Sequence, residues 1–78
     1  MPDYVPIACV AHERLEFAVL KRQRLRLRYI DETSAEQSAT VMPLDVYTRD
    51  GAEWLSAGVE GGGECIVRLD RILASEPA

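Results

Sequence analysis

From residue 24 to residue 30 the chain reads Arg24-Leu25-Arg26-Leu27-Arg28-Tyr29-Ile30. Leu25, Leu27 and Tyr29 fall at every second position, with arginines between them. Successive side chains of a strand point to opposite faces, so this spacing predicts one apolar and one cationic face. A helix would scatter the arginines around its circumference. The stretch therefore predicts the first long strand of an antiparallel sheet with one face buried.

The same reading extends to the rest of the chain. Pro2 and Pro6 predict an extended arm over residues 1–8, with Tyr4 and Ile7 packed on the core. Residues 10–22 predict a helix whose inward face holds Ala11, Leu15, Ala18, Val19 and Arg22. Glu13 and Glu16 fall near its start and Lys21 and Arg22 at its end, which suits the helix dipole. Residues 31–37 form a polar connection with solvated acids. Residues 38–42 and 44–48 predict two short strands, with Pro43 marking a bend or an edge between them. Leu44 and Val46 then share one face. Arg49-Asp50-Gly51 places an Asp-Gly pair between two apolar runs, a tight-hairpin signal. Residues 53–57 form the returning strand, with Trp54 or Leu55 inward. Gly61-Gly62-Gly63 is a turn. Residues 64–70 predict a last long strand with Cys65, Val67 and Leu69 inward and Ile66, Arg68 and Asp70 outward. Residues 71–73 close the sheet, and residues 75–78 fray.

This is one domain over residues 1–78, α+β but mostly β: an N-terminal helix followed by about five antiparallel strands. So small a sheet cannot bury its face alone. It curls into a barrel or takes the helix as a lid. A small Sm-like or SH3-like barrel with an N-terminal helix is expected; an OB-fold places its helix later.

Charge narrows the function. The net charge of −4 divides into +3 over residues 1–28 and −7 over residues 29–78. So acidic a chain is a poor general binder of nucleic acid. Arg24, Arg26 and Arg28 are nonetheless a candidate RNA-binding row, because such a row can track a phosphate backbone beside aromatic rings. The plainer alternative is cross-strand pairing with carboxylates such as Asp45 or Asp70. Cys9 and Cys65 are the two cysteines and His12 the one histidine, too few ligands for a structural zinc site. Two buried thiols are expected, with a disulfide as the alternative. There is no glycine loop ahead of a helix and no nucleophile placed beside His12, so neither an enzyme nor a cofactor is expected. Without an apolar run of spanning length or a secretory signal, a soluble cytoplasmic monomer that contacts no membrane is expected.

Two resemblances follow from longer motifs. Tyr4-Val5-Pro6-Ile7-Ala8-Cys9 and His12-Glu13-Arg14-Leu15-Glu16-Phe17-Ala18 resemble the opening of the Rof family of Rho-binding antiterminators. Glu53-Trp54-Leu55 and Arg68-Leu69-Asp70-Arg71-Ile72 fit the same family. The resemblance implies binding to the N-terminal RNA-binding domain of the Rho hexamer, obstruction of its primary RNA site and reduced Rho-dependent termination. It implies that Glu13 and Glu16 stand in for phosphates, with His12 and Tyr4 beside them. Val10 and Ala11 depart from it, standing where acidic residues are common. Arg28-Tyr29, Pro43, Trp54-Leu55 and the same closing run also resemble the WYL domains of bacterial transcription regulators. These are Sm-like barrels thought to sense ligands or nucleic acid, and a pocket at the sheet surface near Trp54 would be their mark.

Overall fold

The structure, a computed structural model, describes residues 6–78. Helix α1 runs over Cys9–Lys21 and is followed by strands β1 (Leu25–Ile30), β2 (Glu36–Arg49), β3 (Ala52–Val59) and β4 (Glu64–Arg68). A single 3-10 turn, Leu69–Arg71, then leads into β5 (Ile72–Pro77). The α+β, mostly β reading holds, with one helix and then five antiparallel strands in one sheet of order β4-β3-β2-β1-β5.

The strands of this sheet are not all those expected. Residues 38–42 and 44–48 are parts of one 14-residue strand, β2. Fully extended, it would span about 43 Å. The longest dimension of the molecule is 31 Å, so β2 bends, with an irregularity in its pairing between Pro43 and Asp45. Its first half pairs with β1 up to Val41, and its second half pairs with β3 from Val41 onward. Pro43 lies beyond the end of β1, so its missing N–H leaves no neighbour on that side without a partner. The irregularity also turns Leu44 out to solvent, away from the face of Val46.

The C-terminus differs too. Residues 75–77 are the end of β5 and pair with β1, and Ala78 N–H donates to the Arg24 carbonyl at 3.0 Å. The polar, exposed sequence of residues 75–77 hides this end of the strand, which is held chiefly by its backbone pairing with β1.

Local chemistry explains the connections. Asp50 and Gly51 have φ of 53° and 74°, the paired positive values that a two-residue hairpin requires. Arg22 takes φ 53° at the end of α1, and Gln23 N–H donates to the Ala18 carbonyl at 2.9 Å. This closes the helix so tightly that β1 starts within a few residues.

The core is built from Leu15 and Ala18 of α1, Leu25 and Leu27 of β1, Val41, Leu55, Ala57, Val67 and Leu69. Thus α1 is the lid over the apolar face of the sheet. Its inward face is narrower than expected: Ala11 and Arg22 are exposed, while Val10, Phe17 and Leu20 form an apolar outer stripe. Cys9 is also exposed, so the expectation of two buried thiols fails there; Cys65 is half-buried, and both are free thiols.

Laid flat, β4 and β5 would stand about 19 Å apart, four strand spacings. Three residues join them, so the sheet curls strongly. It remains open, because no ladder pairs β4 with β5. The strict alternation expected through residue 70 stops at this corner: Arg68 is buried and Asp70 half-buried, and the two turn toward each other, with Arg68 Nε donating to Asp70 Oδ1 at 2.6 Å. Leu69 between them is fully buried.

Candidate functional site

A cleft of about 700 Å³ runs along the free edge of β4. Residues from both faces of β4 line it, inward Cys65 and Val67, outward Glu64 and Ile66, and the buried Arg68. The opposite wall is the end of β1 and the turn after it: Tyr29, Ile30, Asp31 and Glu32. Trp54 of β3 and Arg71 of the 3-10 turn complete it. The cleft therefore occupies the seam of the curled sheet. Its volume falls within the range of small-molecule sites.

Each side chain is held by its local fold. Trp54 is directly across from Arg68 in the β3–β4 ladder, and its indole N–H donates to the Arg49 carbonyl at 2.9 Å. Of the two candidates for the inward position, Leu55 is fully buried, and Trp54 lies half-buried on the other face. The Tyr29 hydroxyl bonds Cys65, and burial raises its pKa first of all, with the Cys65 and Asp31 charges adding to the effect. Burial also pushes up the Cys65 thiol.

Asp31 is not simply solvated. Its Oδ1 accepts from Thr33 N–H at 2.8 Å, the Thr33 hydroxyl at 2.6 Å and Ala35 N–H at 3.0 Å, and its Oδ2 accepts from Gln37 Nε2 at 2.8 Å. The Thr33 and Gln37 side chains lead in stabilising the charged form, and the carboxyl falls to about 2. The carboxylate thus ties the turn that forms one lip of the cleft. Arg71 donates to the Asp31 carbonyl at a long 3.5 Å.

The arginine row lies elsewhere, on the outer face of the sheet. Arg26 stands opposite Thr40 on β2 and Glu76 on β5, and Arg28 opposite Ser38 and Ala74. Arg26 is 3.6 Å from Glu76 and Arg28 is 3.9 Å from Glu36, with all four side chains more than half exposed. Pairing with acids does occur, but its partners are Glu76 and Glu36, neither of the expected Asp45 and Asp70. Arg24 is exposed just ahead of β1.

On α1, His12 lies between two carboxylates. Its Nδ1 is 2.9 Å from Glu16 and its Nε2 is 2.5 Å from Glu53 on β3. Glu13 is exposed on a different side of the helix, and Tyr4 lies outside the described residues. The structure brings His12 and Glu16 together, adds Glu53, and places Glu13 apart. Among the described residues no group of three or more His, Cys, Asp or Glu side chains could hold a metal ion. No helix there is long and apolar enough to cross a membrane.

The family model of the WYL domain matches residues 10–77. Among solved structures, proteasome accessory factor B/C (PafBC) of Arthrobacter aurescens matches with a TM-score of 0.75 and 26% sequence identity, over 92% of this chain and 12% of that one. The chain thus spans about an eighth of that protein. No curated protein matches the sequence. These matches overturn the resemblance to Rof. Its distinctive part is the run from Tyr4 to Ala18; its sheet motifs, Trp54-Leu55 and the run from Arg68 to Ile72, are shared with the WYL domain and lie, with Tyr29 and Pro43, within the WYL match. The chain belongs to the WYL domain family.

Proposed function

We propose that this chain is a ligand-sensing module of transcription regulation, and that its ligand binds in the cleft beside Trp54. The observation that carries this reading is the cleft itself, which brings an indole, a phenol ring and a guanidinium together along an open sheet edge. A pocket near Trp54 is the feature anticipated for a WYL-like module. The curl of the sheet stops short of the expected Sm-like barrel, and the seam left open is where the ligand lodges.

Binding suits the residues better than catalysis. His12, the one histidine, is not among the cleft residues and has both ring nitrogens against carboxylates. The reading of the arginine row as an RNA track has less support, since Glu76 and Glu36 already face its guanidiniums.

Trp54 is the only tryptophan, so its fluorescence reports the cleft alone. The test is a screen of small metabolites and short oligonucleotides by thermal shift, followed by fluorescence titration of the hits. A ligand at a hundred times its Kd stabilises the folded chain by about 2.7 kcal/mol. A saturable ligand is expected whose binding is lost in Arg71→Ala and in Ile66→Glu. A screen without hits, or hits indifferent to both substitutions, refutes the reading.

A further inference from the structure

The polar groups around the cleft divide into those already engaged and those left over. The Trp54 indole N–H is taken by the Arg49 carbonyl and the Tyr29 hydroxyl by Cys65. The Asp31 carboxylate accepts four bonds from its own turn. Arg68 is bonded to Asp70, so its charge is matched within the protein. What remains is Arg71, whose one bond to a described residue is the 3.5 Å contact with the Asp31 carbonyl, together with the carboxylates of Glu32 and Glu64. The two glutamates have no ion pair or hydrogen bond among the described residues.

A ligand that fits this remainder carries both signs. Building on the cleft as the ligand site, we propose that it takes a small zwitterion, with a free carboxylate, a free ammonium group and an apolar body. The planar guanidinium of Arg71 offers two parallel donors to a carboxylate. Glu64 and Glu32 offer acceptors to the ammonium group, which also gains by lying over an aromatic face. Trp54, Tyr29 and Ile66 cover the apolar body. A phosphate-bearing ligand fits poorly: it would meet one available guanidinium and two unpaired carboxylates, and bringing like charges together in a partly closed site is costly. A simple amine leaves Arg71 without a counter-charge. Amino acids and dipeptides with an aromatic side chain have the required chemistry and fit within the volume.

The experiment titrates the intact chain, following Trp54 emission, with L-phenylalanine, the dipeptide phenylalanyl-phenylalanine, N-acetyl-phenylalanine, phenylalaninamide and adenosine monophosphate. At least one of the two zwitterions is expected to bind saturably, with a loss of tenfold or more when either end is blocked. Arg71→Gln is expected to abolish the preference for phenylalanine over its amide, and Glu32→Gln with Glu64→Gln the preference over the N-acetyl form. None of the three substituted residues belongs to the buried core, so the fold is expected to persist, which a thermal melt verifies. The proposal is overturned if the blocked forms bind as well as the free ones, if adenosine monophosphate binds more tightly, or if no probe binds. A nucleotide that binds and depends on Arg71 would sink the zwitterion and leave the ligand site standing. Failure of these probes together with the wider screen would sink both.

Discussion

Replacing Leu69 with alanine tests how the sheet is held in its curl. Leu69 is 0% exposed at the corner between β4 and β5, and Leu73, four residues on, is 48% exposed. The two substitutions remove the same atoms from the same short segment. At Leu69 three buried carbons are lost at about 0.8 kcal/mol each. The cavity left behind brings the cost to about 3–4 kcal/mol, within the range of fully buried leucines. At Leu73 about half the transfer term is at stake and no cavity forms, so the loss is about 1 kcal/mol or less. A domain of 78 residues is expected to have roughly 4–12 kcal/mol of total stability, so Leu69→Ala removes a quarter or more of it. Urea unfolding followed by circular dichroism measures both variants. With a slope near 1 kcal/mol/M for so small a protein, the midpoint falls by about 3–4 M for Leu69→Ala and by about 1 M or less for Leu73→Ala. Equal costs for the two leucines, or a Leu69→Ala loss below about 1 kcal/mol, would refute the claim that this corner is a packed part of the core.

Three further outcomes follow from the same geometry. Asp31 is held at about 2 against an ordinary 3.8, so its charged form stabilises the fold above the ordinary value and that contribution is lost as pH falls through about 2; an NMR titration of its side chain with a midpoint near 4 would contradict the turn. The exposed pairs of Arg26 with Glu76 and Arg28 with Glu36 are long and solvated, so Arg26→Ala and Arg28→Ala should each change stability by less than about 1 kcal/mol, and a loss above 2 kcal/mol in thermal unfolding would show that the row carries structural weight. Cys9 is exposed and Cys65 is half-buried with its thiol pushed up by burial, so at pH 8 a thiol reagent should label Cys9 first, and mass spectrometry showing Cys65 modified earlier would count against the packing around Tyr29.

What could be read in the sequence was what is local. The alternation of Leu25 and Leu27 with arginines appears in β1 as a buried and an exposed face. The Asp50-Gly51 pair carries its own backbone requirement and forms the expected hairpin. The helix shows in the spacing of Leu15, Ala18 and Val19. Pairing partners are not local. Whether Pro43 ends a strand or bends one depends on where β1 stops, and no residue near Pro43 encodes that. The edge strand β5 holds Ser75, Glu76 and Pro77, which have no apolar rhythm, and only the waiting edge of β1 makes them a strand. Alternation carried forward through residue 70 fails at Arg68 and Asp70 because a 3-10 turn has a different period. Trp54 and Pro43 could be singled out as landmarks, but the cleft draws on residues 29–32, 54, 64–68 and 71, and no spacing along the chain announces that they meet.

The ladder between β1 and β5 also orders the assembly of the chain. Leu25 pairs with Pro77, so this contact closes a loop of about fifty residues, at an entropic cost of about 3.5 kcal/mol by the logarithmic law for flexible loops. The other ladders, which join neighbouring strands, are cheaper to nucleate. The C-terminal strand is therefore last to dock during folding and first to detach afterwards. Its amide protons should exchange with deuterated water well ahead of those in β2 and β3.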